Sequence, residues 1–149
     1  MVIKYNKVKL KRKELHIRRI CMKENEKYEY IGKLDKEKLG KYNIINEDIV
    51  LTNERKKHIY QKHLNDFDKI ISNITNVILN PSEIIEDLKN KDTIFVIGKL
   101  DKDNLNVIVK LNTIEDKIHP KNSIMTAWII RDKNLRKLRD KNRIIYKSE

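Results

Sequence analysis

Cysteine, glycine, proline and aromatic residues are all scarce in this chain of 149 residues. The single cysteine, Cys21, cannot form an intramolecular disulfide, and no set of Cys and His residues has the spacing of a zinc site. Three glycines and two prolines leave few breaks, so the chain shows neither a flexible linker nor an internal repeat. It also lacks an apolar run of membrane-spanning length and, at its start, the features of a signal peptide. We therefore expect a cytoplasmic protein with no membrane partner.

Positive charge is what the chain has in excess: 34 Lys and Arg against 22 Asp and Glu give a formal net charge of +12. Residues 1–30 hold ten Lys and Arg against four Asp and Glu, so half of the excess lies in a fifth of the chain. Such an excess attracts polyanions, above all nucleic acids, through counterion release. A solvated basic arm explains residues 1–30 equally well. We divide the chain into a basic N-terminal extension, residues 1–30, and a domain, residues 31–149.

Two helices are predicted in the first half of that domain. Thr52 is a suitable N-cap for a helix over 53–63, and apolar residues at helical spacing predict a second helix over 66–79 that stops at Pro81. After this point the apolar period becomes that of strands, which indicates an α+β fold with an antiparallel sheet. The remaining predicted elements are strands over 28–34, 93–100, 105–111, 123–130 and 143–146, and short helices over 35–39 and 133–141.

The stretch from Val50 to His63 is the most informative part of the sequence, because it places an arginine, a tyrosine and two histidines on one short helix. The motif Thr52-Asn53-Glu54-Arg55-x-x-His58-Ile59-x-x-x-His63 resembles the opening of phage-encoded domains of the barnase–EndoU–colicin–RelE-like (BECR) nuclease fold. The resemblance continues through Asn80-Pro81-Ser82-Glu83-Ile84-Ile85, the hairpin, Lys121–Trp128 and Ile144–Lys147, and extends over residues 30–149.

The resemblance implies a definite architecture and activity. We expect N-terminal helices packed on a four-stranded antiparallel sheet, with the active site on the open face of that sheet. The implied activity is cleavage of RNA without a metal or any other cofactor. The RNA partner would be a tRNA or an mRNA, and an antitoxin or immunity protein would be the partner protein.

Metal-independent cleavage of RNA needs a base, an acid, and cations or donors for the charge on the phosphate. His58 is the candidate acid or base, because its position matches the motif and its ordinary pKa is near neutrality. Arg55, three residues earlier on the same helix face, can hold a phosphate. Lys110 closes the second strand of the hairpin and could point onto the open face of the sheet. The family pattern favours Thr126 as a contact to phosphate or hydroxyl.

The candidate nucleic-acid-binding residues lie on three elements. His63 is about 140° around the helix from His58, so the two share no helix face, and its charge suits the helix end, which favours a structural role over a catalytic one. Ser123 and Thr126 face opposite sides of a regular strand unless a bulge intervenes. Trp128 is a candidate stacking platform, although a core position is the common role of tryptophan. The other candidates are Tyr60 on the first helix and Arg136 and Arg139 on the basic helix.

Two functions therefore remain open at the level of sequence. The first is an endoribonuclease of phage or mobile-element origin, a toxin or effector that uses the 2′-hydroxyl as nucleophile. The second is a non-catalytic protein that binds nucleic acid, or acts as an inhibitor, with the same basic fold. A metal-dependent nuclease is disfavoured, because no cluster of Asp, Glu and His has suitable spacing.

Overall fold

A seven-stranded mixed sheet forms the centre of the computed structural model, which describes residues 27–112 and 121–149. Its order is β1-β2-β6-β5-β4-β3-β7, and β2 and β6 are parallel while all other neighbours are antiparallel. Most of the predicted basic extension, residues 1–26, lies outside the described residues. The strands are β1 (Tyr28–Lys33), β2 (Asp48–Thr52), β3 (Glu83–Glu86), β4 (Thr93–Lys99), β5 (Asn104–Lys110), β6 (Asn122–Ile130) and β7 (Arg143–Lys147).

The expected four-stranded antiparallel sheet with N-terminal helices is therefore wrong. Two strands, β1 and β2, precede the first helix, and β2 joins the rest of the sheet through parallel pairs of Ile49 with Asn122 and of Val50 with Ser123. At the other side, β3 and β7 extend the sheet beyond the hairpin of β4 and β5. The coarser α+β class is confirmed. The predicted domain boundary at residue 30 falls within β1.

The observed helices begin and end where the capping residues in the sequence predict. Helix α1 (Asn53–Lys62) begins after Thr52, whose Oγ1 accepts a hydrogen bond from the backbone N–H of Arg55 at 3.2 Å. Helices α2 (Phe67–Leu79) and α3 (Asp132–Lys141) complete the set of α-helices in the described ranges. A short 3₁₀ helix, Lys36–Leu39, is capped by Asp35 and followed by Gly40 at φ 60°, a conformation that favours glycine.

The sheet has two differently covered faces, which we call the α2 face and the α3 face. Helices α1 and α2 pack on the α2 face, and α3 packs on the α3 face. Strand residues of the larger core on the α2 face are Ile31, Ile49, Leu51, Ile84, Ile94, Val96, Leu105, Val107, Val109, Ile124 and Ala127. The smaller core on the α3 face contains Ile85, Phe95, Ile97 and Ile130 beneath Leu135 of α3.

A glycine on β4 sets how closely α2 approaches the sheet. A Cβ atom at Gly98 would lie 2.3 Å from Cγ2 of Val77, a distance at which one of the two elements would have to move. The absence of a side chain at Gly98 thus permits the close packing of α2 on β4. No helix within the described ranges is long and apolar enough to cross a membrane.

Candidate functional site

A bulge in β6 decides which predicted site residues share a face. Lys110 pairs with Ser123 and Ile108 pairs with Thr126, so one extra residue, Met125, lies between the two pairs on β6. Lys110 and Ile108 are two residues apart on β5 and therefore point to the same side. Ser123 and Thr126 consequently lie on one side as well, which a regular strand would not allow. Trp128 is two residues after Thr126 and therefore points to the same side. The bulge thus places Lys110, Ser123, Thr126 and Trp128 together on the α3 face.

One side of helix α1 contacts α2, and the other side faces away from α2. The ring of Tyr60 meets the ring of Phe67 edge on, with centroids 5.1 Å apart, so the structure places Tyr60 in the packing between α1 and α2. His58 and Arg55 lie about 160° and 140° around an ideal helix from Tyr60. Both are half-buried on the flank of α1 that faces away from α2. Their side chains are thus on the same side of α1, as the spacing predicts.

His63 connects α1 with the α3 face. It is the C-terminal cap of α1, its backbone N–H donates to the carbonyl of Ile59 at 2.9 Å, and its ring centroid lies 6.3 Å from that of Trp128. Partial burial lowers the pKa of His63, and the positive charges of His58 and Lys62 lower it further, against the opposing effect of Asp66. His63 is therefore neutral at pH 7 and electrostatically coupled to His58.

Two polar side chains beside Trp128 have buried atoms without hydrogen bonds. The Oγ1 atom of Thr126 has no partner, and neither has either amide atom of Asn106, a fully buried residue. Asn106 on β5 is the direct pairing partner of Trp128 on β6 and lies on the α3 face. Asn106 is not among the predicted site residues, although an asparagine at an inward position of the strand Leu105-Asn106-Val107-Ile108 was a visible signal.

The two arginines of the basic helix α3 have different roles: Arg139 pairs with a strand residue, and Arg136 is exposed. Arg139 donates two hydrogen bonds of 2.7 Å to the carboxylate of Glu83, and this pairing raises the pKa of Arg139. Glu83 is buried on β3, so the pair fastens α3 to the sheet. Arg136 is exposed, and Lys133, Lys137 and Lys141 of the same helix are exposed too.

The structure thus brings half of the predicted site residues to one region. Lys110, Ser123, Thr126 and Trp128 share the α3 face, and His63 joins them through its contact with Trp128. Tyr60 instead contacts Phe67 of α2, and Arg139 instead pairs with Glu83 of β3. Within the described residues, no group of three or more His, Cys, Asp and Glu side chains could hold a metal ion.

No protein-family model, no curated protein and no solved structure matches the chain.

Proposed function

We propose that the protein binds RNA where α1 meets the α3 face and cleaves it without a metal. The observation that carries this proposal is the contact of His63 with Trp128 beside the unpaired hydroxyl of Thr126. It supplies an imidazole that is neutral at pH 7 and an indole on which a base can stack. The net charge of +12 supports an anionic polymer as the ligand.

The proposed reaction gives each histidine one proton transfer. Neutral His63 accepts the proton of the ribose 2′-hydroxyl, whose oxygen attacks the adjacent phosphorus. The bond from phosphorus to the 5′-oxygen breaks, and His58 gives a proton to that oxygen. The products are a 2′,3′-cyclic phosphate and a free 5′-hydroxyl. Arg55, on the His58 side of α1, and Lys110 stabilise the negative charge that develops on the phosphate.

The remaining parts of the biological role belong to the same proposal. We place the activity in the cytoplasm, where tRNA and mRNA are available as substrates. A free ribonuclease is toxic to the cell that makes it, so an antitoxin or immunity protein would be the natural protein partner.

An RNA cleavage assay with EDTA present tests the catalytic proposal. Cutting of a short labelled RNA should continue in EDTA and should fall by ~10²–10⁴ in His63→Gln and in His58→Gln. Thr75→Ala, on the exposed side of α2, is the control and should cut at the wild-type rate.

The chemistry of the product separates this reaction from other nuclease mechanisms. A substrate with a 2′-deoxy sugar at the cut site should survive, and the RNA product should end in a cyclic phosphate. Cutting of the deoxy substrate, or full activity of His63→Gln, would show that the assigned proton transfer is wrong.

A non-catalytic nucleic-acid-binding or inhibitor protein is the second candidate. The exposed side chains of α3, Lys133, Arg136, Lys137 and Lys141, favour it, because they can contact a phosphate backbone without any chemistry. Purified wild-type protein that binds RNA with a steep salt dependence and never cuts it would establish this role in place of the ribonuclease.

A further inference from the structure

Two exposed aromatic side chains lie on the edge strand β1, on the same face of the sheet as Trp128. Tyr30 is 55 % exposed, and Tyr28 is 37 % exposed. Tyr30 pairs with Val50 of β2, and Val50 pairs with Ser123 of β6. Paired residues of neighbouring strands point to the same side of a sheet, and so do residues two apart on one strand. Both tyrosines are therefore on the α3 face.

A lysine at the start of β6 reaches across this face to the first of the two tyrosines. The Nζ atom of Lys121 lies 4.4 Å from the ring centroid of Tyr28 and donates a hydrogen bond of 2.5 Å to its hydroxyl. Strand β2 lies between β1 and β6, so this contact spans the width of one strand. The contact holds a positive charge beside an exposed aromatic ring.

Positive charge exceeds negative charge on this part of the α3 face. Asp48 is the single acidic side chain that the described residues of β1, β2, β5 and β6 place there, and it pairs with Lys33 across β1 and β2. Lys110 on β5 is exposed, and Lys121 adds a third cation. An anionic ligand is therefore favoured beside the two tyrosines.

The edge of β1 is poorly suited to another strand. An edge strand can pair with a strand of a second molecule, because one row of its backbone groups has no neighbour. In β1 the register shifts between Tyr30 and Gly32, so a bulge interrupts that row, and bulges of this kind protect sheet edges against pairing. The tyrosine rings point out of the sheet plane, whereas an added strand would lie in that plane. A ligand that stacks on the rings fits this geometry better than a second copy of the chain.

We propose that Tyr28, Tyr30 and Lys121, which we call the tyrosine surface, bind single-stranded RNA, with a base stacked on Tyr30 and a phosphate at Lys121. Aromatic rings beside cations bind single strands through base stacking and phosphate contacts, without reading the sequence. This binding rests on the proposed function, because the strand is the continuation of the RNA whose base stacks on Trp128.

The distance between the two stacking positions sets the length of RNA that occupies both. From strand spacing and rise, Tyr30 and Trp128 are about 10 Å apart across the strands and about 15 Å apart along them. A dinucleotide bound at Trp128 is too short to reach Tyr30, whereas a hexanucleotide can span both residues. The tyrosine surface should therefore contribute to the binding of a hexanucleotide and not to that of a dinucleotide.

Two fluorescence measurements on the full chain separate the tyrosine surface from the site at Trp128. Trp128 is the single tryptophan of the chain, so quenching of its emission by a dinucleotide reports on that site. The anisotropy of a labelled 2′-O-methyl RNA hexanucleotide, which has no free 2′-hydroxyl and cannot be cleaved by the proposed reaction, reports on both sites. Tyr30→Ala should weaken hexanucleotide binding about fivefold to a hundredfold and leave quenching by the dinucleotide unchanged.

Matched variants and a matched ligand identify stacking as the cause. Tyr30→Phe keeps the ring and should bind the hexanucleotide as the wild type does. Leu88→Ala removes a side chain that is equally exposed, at 56 %, and should also bind as the wild type does. Lys121→Ala should reduce the slope of affinity against salt by about one phosphate contact. A hexanucleotide without bases but with the same phosphates should bind more weakly, and Tyr30→Ala should not weaken it further.

The possible failures of the two proposals are distinguishable. Hexanucleotide affinity that is unchanged in Tyr30→Ala, falls equally in Leu88→Ala, or does not recover in Tyr30→Phe would overturn the tyrosine surface, whether or not the protein cleaves RNA. Binding that depends on Tyr30 while no RNA quenches Trp128 would refute the proposed cleavage site and support the tyrosine surface. A dimer of the wild type that Tyr30→Ala dissociates, measured by sedimentation, would identify a second copy as the occupant and overturn RNA binding there.

Discussion

Replacing Asn106 with leucine should stabilise the protein. Asn106 is fully buried between Ile97 on β4 and Trp128 on β6, and both atoms of its amide lack hydrogen-bond partners. An unsatisfied buried polar group costs about 1–3 kcal/mol, and leucine has the same branching and number of side-chain heavy atoms as asparagine with no polar atom to desolvate. We therefore expect the free energy of unfolding to rise by about 1–3 kcal/mol in Asn106→Leu. For a domain of this size the melting temperature should rise by about 3–10 °C.

A neighbouring asparagine on the same strand supplies the control. Asn104 is also buried on the α3 face, but its amide nitrogen donates to Oδ1 of Asp132 at 2.8 Å and approaches the carbonyl of Ile130 at 3.4 Å. Asn104→Leu should lower the free energy of unfolding by about 1–3 kcal/mol, because it leaves the start of α3 without this contact. Urea titrations at constant pH measure both changes. Destabilisation of Asn106→Leu by more than about 1 kcal/mol would mean that its amide has a bonding partner, and the reasoning would fail.

Three further changes test the packing and the charges. The folded-state pKa of His63 lies below its unfolded value of 6.5, so its stabilising contribution is present above pH 6.5 and is lost as the pH falls towards the folded-state pKa. Unfolding titrations at several pH values should show this loss, and His63→Gln should reduce the slope. Arg139→Ala should lower stability by about 2–4 kcal/mol, because Glu83 would remain buried as an unpaired charge, and Arg139→Ala with Glu83→Gln should recover part of it. Gly98→Ala should cost about 1–3 kcal/mol through overpacking against Val77, and an equal cost in a Val77→Ala background would show that this contact is not the cause.

The helices were predictable because their signals are local. The side chain of Thr52 caps α1, Asp35 caps the short 3₁₀ helix, and Pro81 follows the end of α2. Each signal depends on residues within a few positions of the helix end, so the sequence alone contains it. The hairpin of β4 and β5 was predictable for the same reason, since a short polar turn separates two runs of β-branched residues.

The sheet was predicted wrongly because its extent depends on contacts between distant segments. Strand β3 has four residues, with Glu83 and Glu86 at its two ends, and such a short charged segment has no strand periodicity. Its glutamates are buried because Arg139 and Arg143, more than fifty residues later, pair with them. The parallel pairing of β2 with β6 likewise joins residues that helices α1 and α2 separate along the chain. Neither arrangement has a signature within one segment.

The candidate site was predictable in its residue types and not in its geometry. The spacing of Ser123 and Thr126 indicated opposite sides, and the bulge at Met125 reversed that result. Arg139 is a charged residue in a basic stretch, which predicts a surface position, yet it donates a hydrogen bond to the buried carboxylate of Glu83. Asn106 gave a signal in the strand pattern, but only its burial without partners shows that it is unusual. In each case the side chain was visible in the sequence, whereas its neighbour came from another element.

Strand β2 and helix α1 lie one after the other along the same edge of β6, and this arrangement sets the position of the two histidines. Strand β2 pairs with Asn122 and Ser123 at the beginning of β6, and the chain then turns into α1, which packs along the rest of that strand. This arrangement brings the C-terminal end of α1, and with it His63, to Trp128 near the end of β6. A longer β2 would pair with more of β6 and move α1 away from that end. The shortness of β2 is therefore the structural condition for an imidazole beside the indole, and hence for the proposed proton transfer.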